Sequence, residues 1–237
     1  MTQPPPPPPG TPPPPPPGTP PPGSGWGQAP AAGSFRVGEA ISYGWTVYWQ
    51  NAGPMIVLAL VIFGVNMAIG LAGSNFDNAT SQVLLNIISF LIGIILAMGL
   101  IRASLAVVSG GTPAVAMLFL TEGFGAYFLA SILVGIGVVL GMIALIVPGI
   151  ILAIMWHFFG YVIVEDPSTG ALDAMRRSAE ITRGHRWQLL GLGFALLGLN
   201  ILGLLLCIVP IIFTYGITAI TVAYTYRHLT GQAVVQP

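Results

Sequence analysis

Long apolar segments, some directly adjacent and others separated by short polar segments, occupy the chain from residue 34 almost to its end. Each apolar run approaches the roughly 20 residues that a helix needs to cross a bilayer. Six such runs can be delimited: Pro54 to Gly73, Val83 to Val108, Ala126 to Val147, Pro148 to Val164, Trp187 to Val209, and Pro210 to Tyr226. The pattern predicts an all-α membrane protein, in which the fourth and sixth runs are short enough to be tilted or re-entrant.

Proline marks two of the boundaries between these runs. The third and fourth runs meet at Pro148 and Gly149, and the fifth and sixth runs meet at Pro210. A proline removes a backbone hydrogen bond and restricts the residue before it, so an uninterrupted helix through either site is disfavoured. We therefore predict tight turns at Pro148, Gly149 and Pro210, and six membrane spans. Four spans are the alternative, if each proline-containing pair forms one long helix.

A weak internal repeat organises the six runs into three units. The segments 38–60, 112–134 and 172–194 each change from polar to apolar and each precede one pair of runs. Agreement in length and in the onset of the spans predicts three helical hairpins, each preceded by an interfacial amphipathic helix. In the third unit we expect the helix to pair Asp173 with Arg177. Its apolar stripe is predicted to be Leu172, Met175, Ala179 and Thr182.

The first 33 residues differ in composition from the rest of the chain. They contain 16 of the 22 prolines, in the pattern PPPPPPG-TPPPPPPG-TPPPG. Proline fixes φ and offers no backbone donor, so this segment favours extended polyproline II over a packed core. We predict a disordered tail over residues 1–33, a helical integral-membrane domain over 34–230, and a short C-terminal tail over 231–237.

Charged residues are few, and the basic ones are predicted to lie on one side of the membrane. Only 6% of the residues are charged, and all seven basic residues are arginine. With six spans, every arginine falls on the same side of the membrane, and the positive-inside rule makes that side cytoplasmic. Both termini are then cytoplasmic. The net charge of zero gives no basic surface for nucleic acid. The seven positions are Arg36, Arg102, Arg176, Arg177, Arg183, Arg186 and Arg227.

Four of these arginines lie between the fourth and fifth runs. Arg176, Arg177, Arg183 and Arg186 occupy the third amphipathic segment, which we expect to lie in the membrane plane. Their guanidinium groups are predicted to contact anionic lipid headgroups. A solvated loop helix that merely satisfies the positive-inside rule is the alternative.

Catalytic and metal-binding patterns are not found in the sequence. His157 has tyrosine rather than histidine at position 161, so the spacing of a helical metal site fails. The intramembrane asparagines Asn66, Asn86 and Asn200 are interpreted as interhelical hydrogen-bonding groups. The single cysteine, Cys207, is interpreted as a small buried apolar residue. We therefore expect no enzyme activity, no cofactor and no metal.

The segments around the fourth run resemble a known family. Val147–Ile150 (VPGI), Ala174–Ser178 and Gly184–Trp187 are similar to motifs of an uncharacterised bacterial integral-membrane family. That family is related to the membrane domain fused to some glycerophosphoryl diester phosphodiesterases. The resemblance covers about residues 112–230 and implies a helical membrane fold, but the sequence has no phosphodiesterase catalytic domain. The proline-rich tail also resembles those of actinobacterial membrane proteins.

These features predict a non-enzymatic scaffold in a bacterial plasma membrane. Its proline-rich tail would recruit a protein partner by binding an aromatic groove of that partner. Its helices would assemble with a second copy or with another membrane protein. An inert spacer is the alternative for the tail. A small-molecule or lipid transporter is the alternative for the whole protein, because proline-interrupted apolar segments also occur in transporters.

Overall fold

The computed structural model describes residues 35–74, 78–205 and 208–236. These residues form nine α-helices and one 3₁₀ helix, Val115–Phe119. The α-helices are α1 (Val37–Gln50), α2 (Ala52–Gly73), α3 (Ala79–Val108), α4 (Phe124–Ala144), α5 (Ile146–Met155), α6 (Phe159–Glu165), α7 (Ala171–Ile181), α8 (Arg186–Leu205) and α9 (Ile208–Leu229). The tail predicted for residues 1–33 and the predicted buried position of Cys207 fall outside the described residues.

Five helical segments of the described chain are long and apolar enough to cross a membrane. They are α2, α3, α4, α8 and the segment Ile146–Glu165, which contains α5 and α6. Only 17% to 33% of the apolar window of each segment is buried inside the chain. The remaining apolar surface needs an apolar environment, which a bilayer supplies. The chain is therefore a multi-pass helical membrane protein, while the sixth span, α9, stays a prediction.

Close glycine contacts bring α4 against α5 and α6. A Cβ atom on Gly141 would lie 2.9 Å from the Cα atom of Gly149. Further from the turn, a Cβ atom on Gly137 would meet the ring of Trp156 at 2.6 Å, and one on Gly160 would meet the ring of Tyr127 at 2.8 Å. Small residues let helices approach closely in a membrane, where lipid supplies no hydrophobic driving force. The chain therefore reverses direction between α4 and α5.

The turn between α4 and α5 does not lie at Pro148 and Gly149, the residues from which it was predicted. Leu145 is the residue with an extended backbone, with φ −164° and ψ 143°. Pro148 is the third residue of α5, and Pro210 is likewise the third residue of α9. The first N–H groups of a helix have no acceptor inside it, so a proline is tolerated there. Gly149 is buried and serves the close approach to α4 rather than the turn.

Helix α9 lies at the centre of the packing and contacts α1, α2, α3 and α8. Its closest neighbour is α1, because a Cβ atom on Gly44 would lie 2.0 Å from Oγ1 of Thr221. Trp45 and Trp49 of α1 are about half exposed, and the ring of Trp49 also stacks on Phe213 of α9. Tryptophan is enriched at membrane–water interfaces. The interfacial position of the first amphipathic helix stays a prediction.

The second predicted amphipathic helix is much shorter than its counterparts. Between α3 and α4 the chain forms only the five-residue 3₁₀ helix, whose Leu118 is fully buried. Gly110 and Gly123, with φ of 80° and 77°, lie on either side of this segment. Glycine adopts these left-handed conformations without steric cost. The prediction of an α-helix in the second unit was therefore wrong.

The residues predicted as a C-terminal tail pack against the helices. Val234 is 2% exposed. The N–H of Val235 donates to the carbonyl oxygen of Val108 at 3.0 Å. The hydroxyl of Tyr43 donates to the carbonyl oxygen of Val235 at 2.9 Å. These bonds tie the end of the chain to α1 and α3, so the folded region extends beyond residue 230.

Candidate functional site

Helix α7 is fixed at the interruption between α5 and α6. The hydroxyl of Ser178 accepts the backbone N–H of Phe158 at 3.0 Å and donates to the carbonyl oxygen of Met155 at 2.9 Å. Both groups belong to the interrupted segment, where the helix leaves backbone groups without partners. Ser178 is fully buried and satisfies them. The serine of the Ala174–Ser178 motif therefore joins α7 to a break inside a candidate span.

The buried face of α7 differs from the predicted stripe. Leu172 is 58% exposed and Ala179 is only partly buried. The face turned to the protein consists of Ala171, Ala174, Met175, Ser178 and Thr182. This rotation follows from the bonds of Ser178, which must point inward, and from the small alanines, which let α7 approach α4 and α6. The predicted stripe was therefore right at Met175 and Thr182 and wrong at Leu172 and Ala179.

Three of the four predicted headgroup arginines line one surface cleft. Arg176, Arg183 and Arg186 surround a volume of about 650 Å³ at the junction of α7 and α8. Gly184, with φ 89°, lies in the connection between these two helices. Trp187 also lines the cleft and is 85% exposed. We call these four residues, Arg176, Arg183, Arg186 and Trp187, the arginine cleft.

The fourth arginine is turned away from this cleft. Arg177 pairs with Asp166 at 3.9 Å, whereas Asp173 pairs with Arg176 at 3.5 Å. The predicted pair of Asp173 with Arg177 is therefore replaced by two others, because Arg177 faces the loop between α6 and α7. Sequence spacing within one helix could not identify a partner that lies on the preceding loop.

The arginine cleft keeps an excess of positive charge. Neither Arg183 nor Arg186 forms an ion pair within residues 35–74, 78–205 and 208–236. Glu180 is the one acid among the residues that line the cleft. Exposed guanidinium groups beside an exposed indole are what an anionic headgroup region attracts. The geometry is compatible with the predicted headgroup contact, which stays a prediction.

Asp166 organises the loop that leads into α7. Its carboxylate accepts the N–H of Ser168 at 3.2 Å, the hydroxyl of Ser168 at 2.5 Å and the hydroxyl of Thr169 at 3.0 Å. Hydrogen bonds from Ser168 and Thr169, with the nearby charge of Arg177, lower the pKa of Asp166 below its usual range. The carboxylate therefore stays charged and holds the start of α7, a role that sequence reasoning missed.

A second polar cluster joins the end of α6 to the end of α9. Glu165 accepts the hydroxyl of Tyr226 at 2.6 Å and the amide of Gln232 at 3.2 Å, and it pairs with Arg227 at 3.3 Å. Arg102 lines a surface cleft together with Glu165 and Arg227, separate from the arginine cleft. It donates to the carbonyl oxygens of Leu120 and Glu122, so it fixes the loop before α4. These two arginines stabilise the fold through contacts within the protein.

Two asparagines in the membrane segments form different hydrogen bonds. The amide of Asn200 donates to Thr218 on α9 at 2.9 Å, which is the interhelical bond expected for an intramembrane asparagine. Asn66 instead bonds within its own helix, to the carbonyl oxygen of Ile62. In the part of the chain that the structure describes, no three His, Cys, Asp or Glu residues lie close enough to hold a metal ion.

The fold and the arginine cleft define a multi-pass helical membrane protein with a basic face at one end of its helices. Residues 129–233 match the sequence profile of a family described as "Protein of unknown function (DUF975)". This region begins in α4 and includes α7, the arginine cleft and α9. The chain is similar to this family over that region.

Similarity over most of the chain extends to mycobacterial proteins. The chain is 27% identical over 231 residues to "Uncharacterized protein Rv2560" of Mycobacterium tuberculosis, covering 85% of this chain and 71% of the relative. The same identity and coverage hold for "Uncharacterized protein Mb2590" of Mycobacterium bovis. No solved structure matches the chain. These similarities are consistent with a bacterial membrane protein and assign no activity.

Proposed function

We propose that this chain is a non-enzymatic scaffold of the bacterial plasma membrane, with six spans in three hairpins. Contacts between successive helices support the hairpins: Gly141 with Gly149, Gly73 with Leu85, and Gly203 with Thr214. Helix α9, 22 residues long, supplies the sixth span. The proline-rich tail recruits a protein partner on the cytoplasmic side. The relationship to the membrane domain of phosphodiesterases stays a prediction.

One observation carries the proposed orientation. Arg102 and Arg227 are distant in sequence, but they line the same cleft beside Glu165. Asp166, the next residue, pairs with Arg177 of α7. At the start of α1, Phe35 contacts the ring of His228. Four segments that carry arginines thus meet at one end of the helices. By the positive-inside rule, this supports a cytoplasmic location for the N-terminus, α7 and the C-terminus.

Cysteine labelling tests this orientation. In a Cys207→Ser background, we expect Thr80→Cys to react with an impermeant maleimide in intact cells, because the start of α3 lies outside. Gly38→Cys should react only after the cells are opened, because α1 lies inside. Both positions are exposed, and a Cβ atom at Gly38 meets nothing within 4 Å.

Reversal of the two labelling patterns would place the arginines outside and overturn the orientation. Labelling of both sites in intact cells would place them on the same side of the membrane, with an even number of spans between them, and would overturn the proposal that α2 crosses once. Asn78 is not used as the outer reporter, because its side chain accepts the N–H of Ser81 at 2.8 Å and caps α3.

The recruitment role predicts that the tail controls which proteins are bound. We expect the full chain to retain at least one partner in a crosslinking pull-down from membranes that a chain lacking residues 1–33 does not retain. A polyproline segment binds aromatic grooves with little entropy loss, because it is already extended. Replacing prolines 4–9 and 12–17 by alanine keeps the length and should also abolish capture. Identical partners for all three chains would make the tail an inert spacer.

A transporter is the second candidate, and one observation favours it. The segment Ile146–Glu165 is interrupted at Trp156–Phe158, inside a candidate span. Interrupted helices line substrate sites in many transporters. A groove beside this interruption is lined by His157, Asn200 and Thr218, among other residues. Substrate-dependent flux in proteoliposomes, abolished by His157→Ala, would favour transport over the scaffold.

A further inference from the structure

A groove runs along α8 on the membrane side of the arginine cleft. Its volume is about 370 Å³, within the roughly 300–1,000 Å³ that is usual for ligand pockets. Its walls come from α4, α5, α8 and α9 and are mostly apolar. The polar side chains on its walls are those of His157, Asn200 and Thr218. Its shape and chemistry fit a hydrocarbon chain.

The groove and the arginine cleft share one face of α8. Arg186 lines the cleft, and Leu189, Gly193, Leu196 and Asn200 line the groove. Successive members are three or four residues apart, which places all of them on the same side of the helix. At 1.5 Å per residue, the groove extends roughly 16 Å from Leu189 to Asn200. This is about half of the ~30 Å hydrocarbon core, the depth of one leaflet.

The charge at the head of this face determines which lipid fits. Arg183 and Arg186 are without ion-pair partners among the described residues, while Arg176 is partly neutralised by Asp173. Glu180 subtracts one charge from the cleft. The excess favours a headgroup that carries net negative charge over a zwitterionic one. Trp187, exposed beside them, lies where indole rings are enriched, at the headgroup level.

We infer that this face of α8 is a binding site for one anionic phospholipid. Its phosphate is bound by Arg183 and Arg186, and one acyl chain lies in the groove between α5, α8 and α9. The site requires only that α8 crosses the bilayer with Arg186 at the headgroup level. It depends neither on the proline-rich tail nor on which side is cytoplasmic, so it can fail or stand independently of the proposed scaffold.

Native mass spectrometry of the full chain in detergent tests the site. The probes are phosphatidylglycerol and phosphatidylcholine with identical acyl chains. We expect one phosphatidylglycerol to bind roughly tenfold or more tightly than phosphatidylcholine, because two unpaired cations face a headgroup of net charge −1 in the first and of net charge zero in the second. Affinity for phosphatidylglycerol should rise with acyl length until the chain reaches the depth of one leaflet. Equal affinity for both headgroups, or independence of chain length, would overturn the inference.

Paired arginine variants locate the headgroup. Arg183→Gln with Arg186→Gln should lower the affinity for phosphatidylglycerol about tenfold and the affinity for phosphatidylcholine much less, because the phosphatidylcholine headgroup has no net charge. The matched control is Arg36→Gln with Arg177→Gln, which removes two arginines that already have acidic partners. The control should retain most of the preference. If both pairs lower the affinity equally, the effect is one of net charge, and the site is rejected.

Paired glycine variants locate the acyl chain. Gly193 lines the groove and Gly198 does not, and a Cβ atom at either meets nothing within 4 Å. Gly193→Leu should fill the groove and lower the affinity for long-chain phosphatidylglycerol, while Gly198→Leu should leave that affinity unchanged. Dihexanoyl phosphatidylglycerol, too short to fill the groove, should bind both variants equally. Equal behaviour of the variants toward the long-chain lipid would reject the groove. If Gly193→Leu fails to fold, the acyl-length series on the unaltered chain decides.

Discussion

Gly99→Ala should destabilise the protein more than any other single methyl addition considered for α3. A Cβ atom at this position would lie 2.3 Å from the Cα atom of Leu118 and 2.8 Å from the carbonyl oxygen of Met117. Both are backbone atoms, which cannot move aside as a side-chain tip can. Overpacking costs about 1–3 kcal/mol, and we expect the upper end of this range because the 3₁₀ helix must be displaced as a whole.

The measurement is the unfolding of purified protein in detergent, compared with Gly93→Ala. Gly93 lies in the same helix, and a Cβ atom there meets nothing within 4 Å. Alanine at this position should be neutral or stabilise α3 by about 0.5–1 kcal/mol, since glycine costs entropy within a helix. If both variants unfold alike, the 3₁₀ helix does not pack on α3 as described.

Ser178→Ala should have the second-largest effect, because it removes two hydrogen bonds at once. The N–H of Phe158 and the carbonyl oxygen of Met155 would lose the hydroxyl that now bonds to both. The carbonyl oxygen of Met155 keeps a bond from the hydroxyl of Thr182 at 3.5 Å, whereas the N–H of Phe158 loses the hydroxyl of Ser178. A buried group left without a partner costs about 1–3 kcal/mol, so we expect a loss near 2 kcal/mol. The loss should also release α7, because Ser178 makes the two shorter of the three bonds that join α7 and its C-cap Thr182 to the interruption between α5 and α6.

Two measurements separate these effects. Unfolding in detergent reports the free energy, and limited proteolysis near Arg183 reports whether α7 has been released. Ser131→Ala is the matched control, because its hydroxyl donates only to the carbonyl oxygen of Tyr127, within its own helix. That change should alter stability by less than about 0.5 kcal/mol. If Ser178→Ala leaves the α7 region as well protected from proteolysis as in the unaltered protein, the apolar contacts of α7 are sufficient to hold it in place.

The boundaries of most membrane helices could be predicted from the sequence. The run from Pro54 to Gly73 became α2, and the run from Val83 to Val108 is the apolar part of α3. Such predictions succeed because a span is a local property: every backbone group is satisfied within the helix, and the apolar length must match the bilayer. The same reasoning placed α7 and its arginines between two apolar segments.

Contacts between distant segments decided what local pattern could not. Met155 and Ser178 belong to different helices, and their bond sets which face of α7 is buried. The partner of Arg177 likewise lies on the preceding loop, and Arg183 and Arg186 form a cleft only where α7 meets α8. A helix with small residues on several faces offers no single apolar stripe, so its rotation depends on the surface it meets.

The sequence by itself therefore determined that this is a multi-pass helical membrane protein, the approximate bounds of most of its apolar helices, and the segments that carry its arginines. These properties follow from transfer free energies summed along short stretches of chain. Only the tertiary structure decided that the turn lies at Leu145, that the second amphipathic segment is a 3₁₀ helix, and that residues 234–235 pack onto α1 and α3. Each of these depends on steric fit and hydrogen bonds between residues far apart in sequence, for which hydropathy carries no signal.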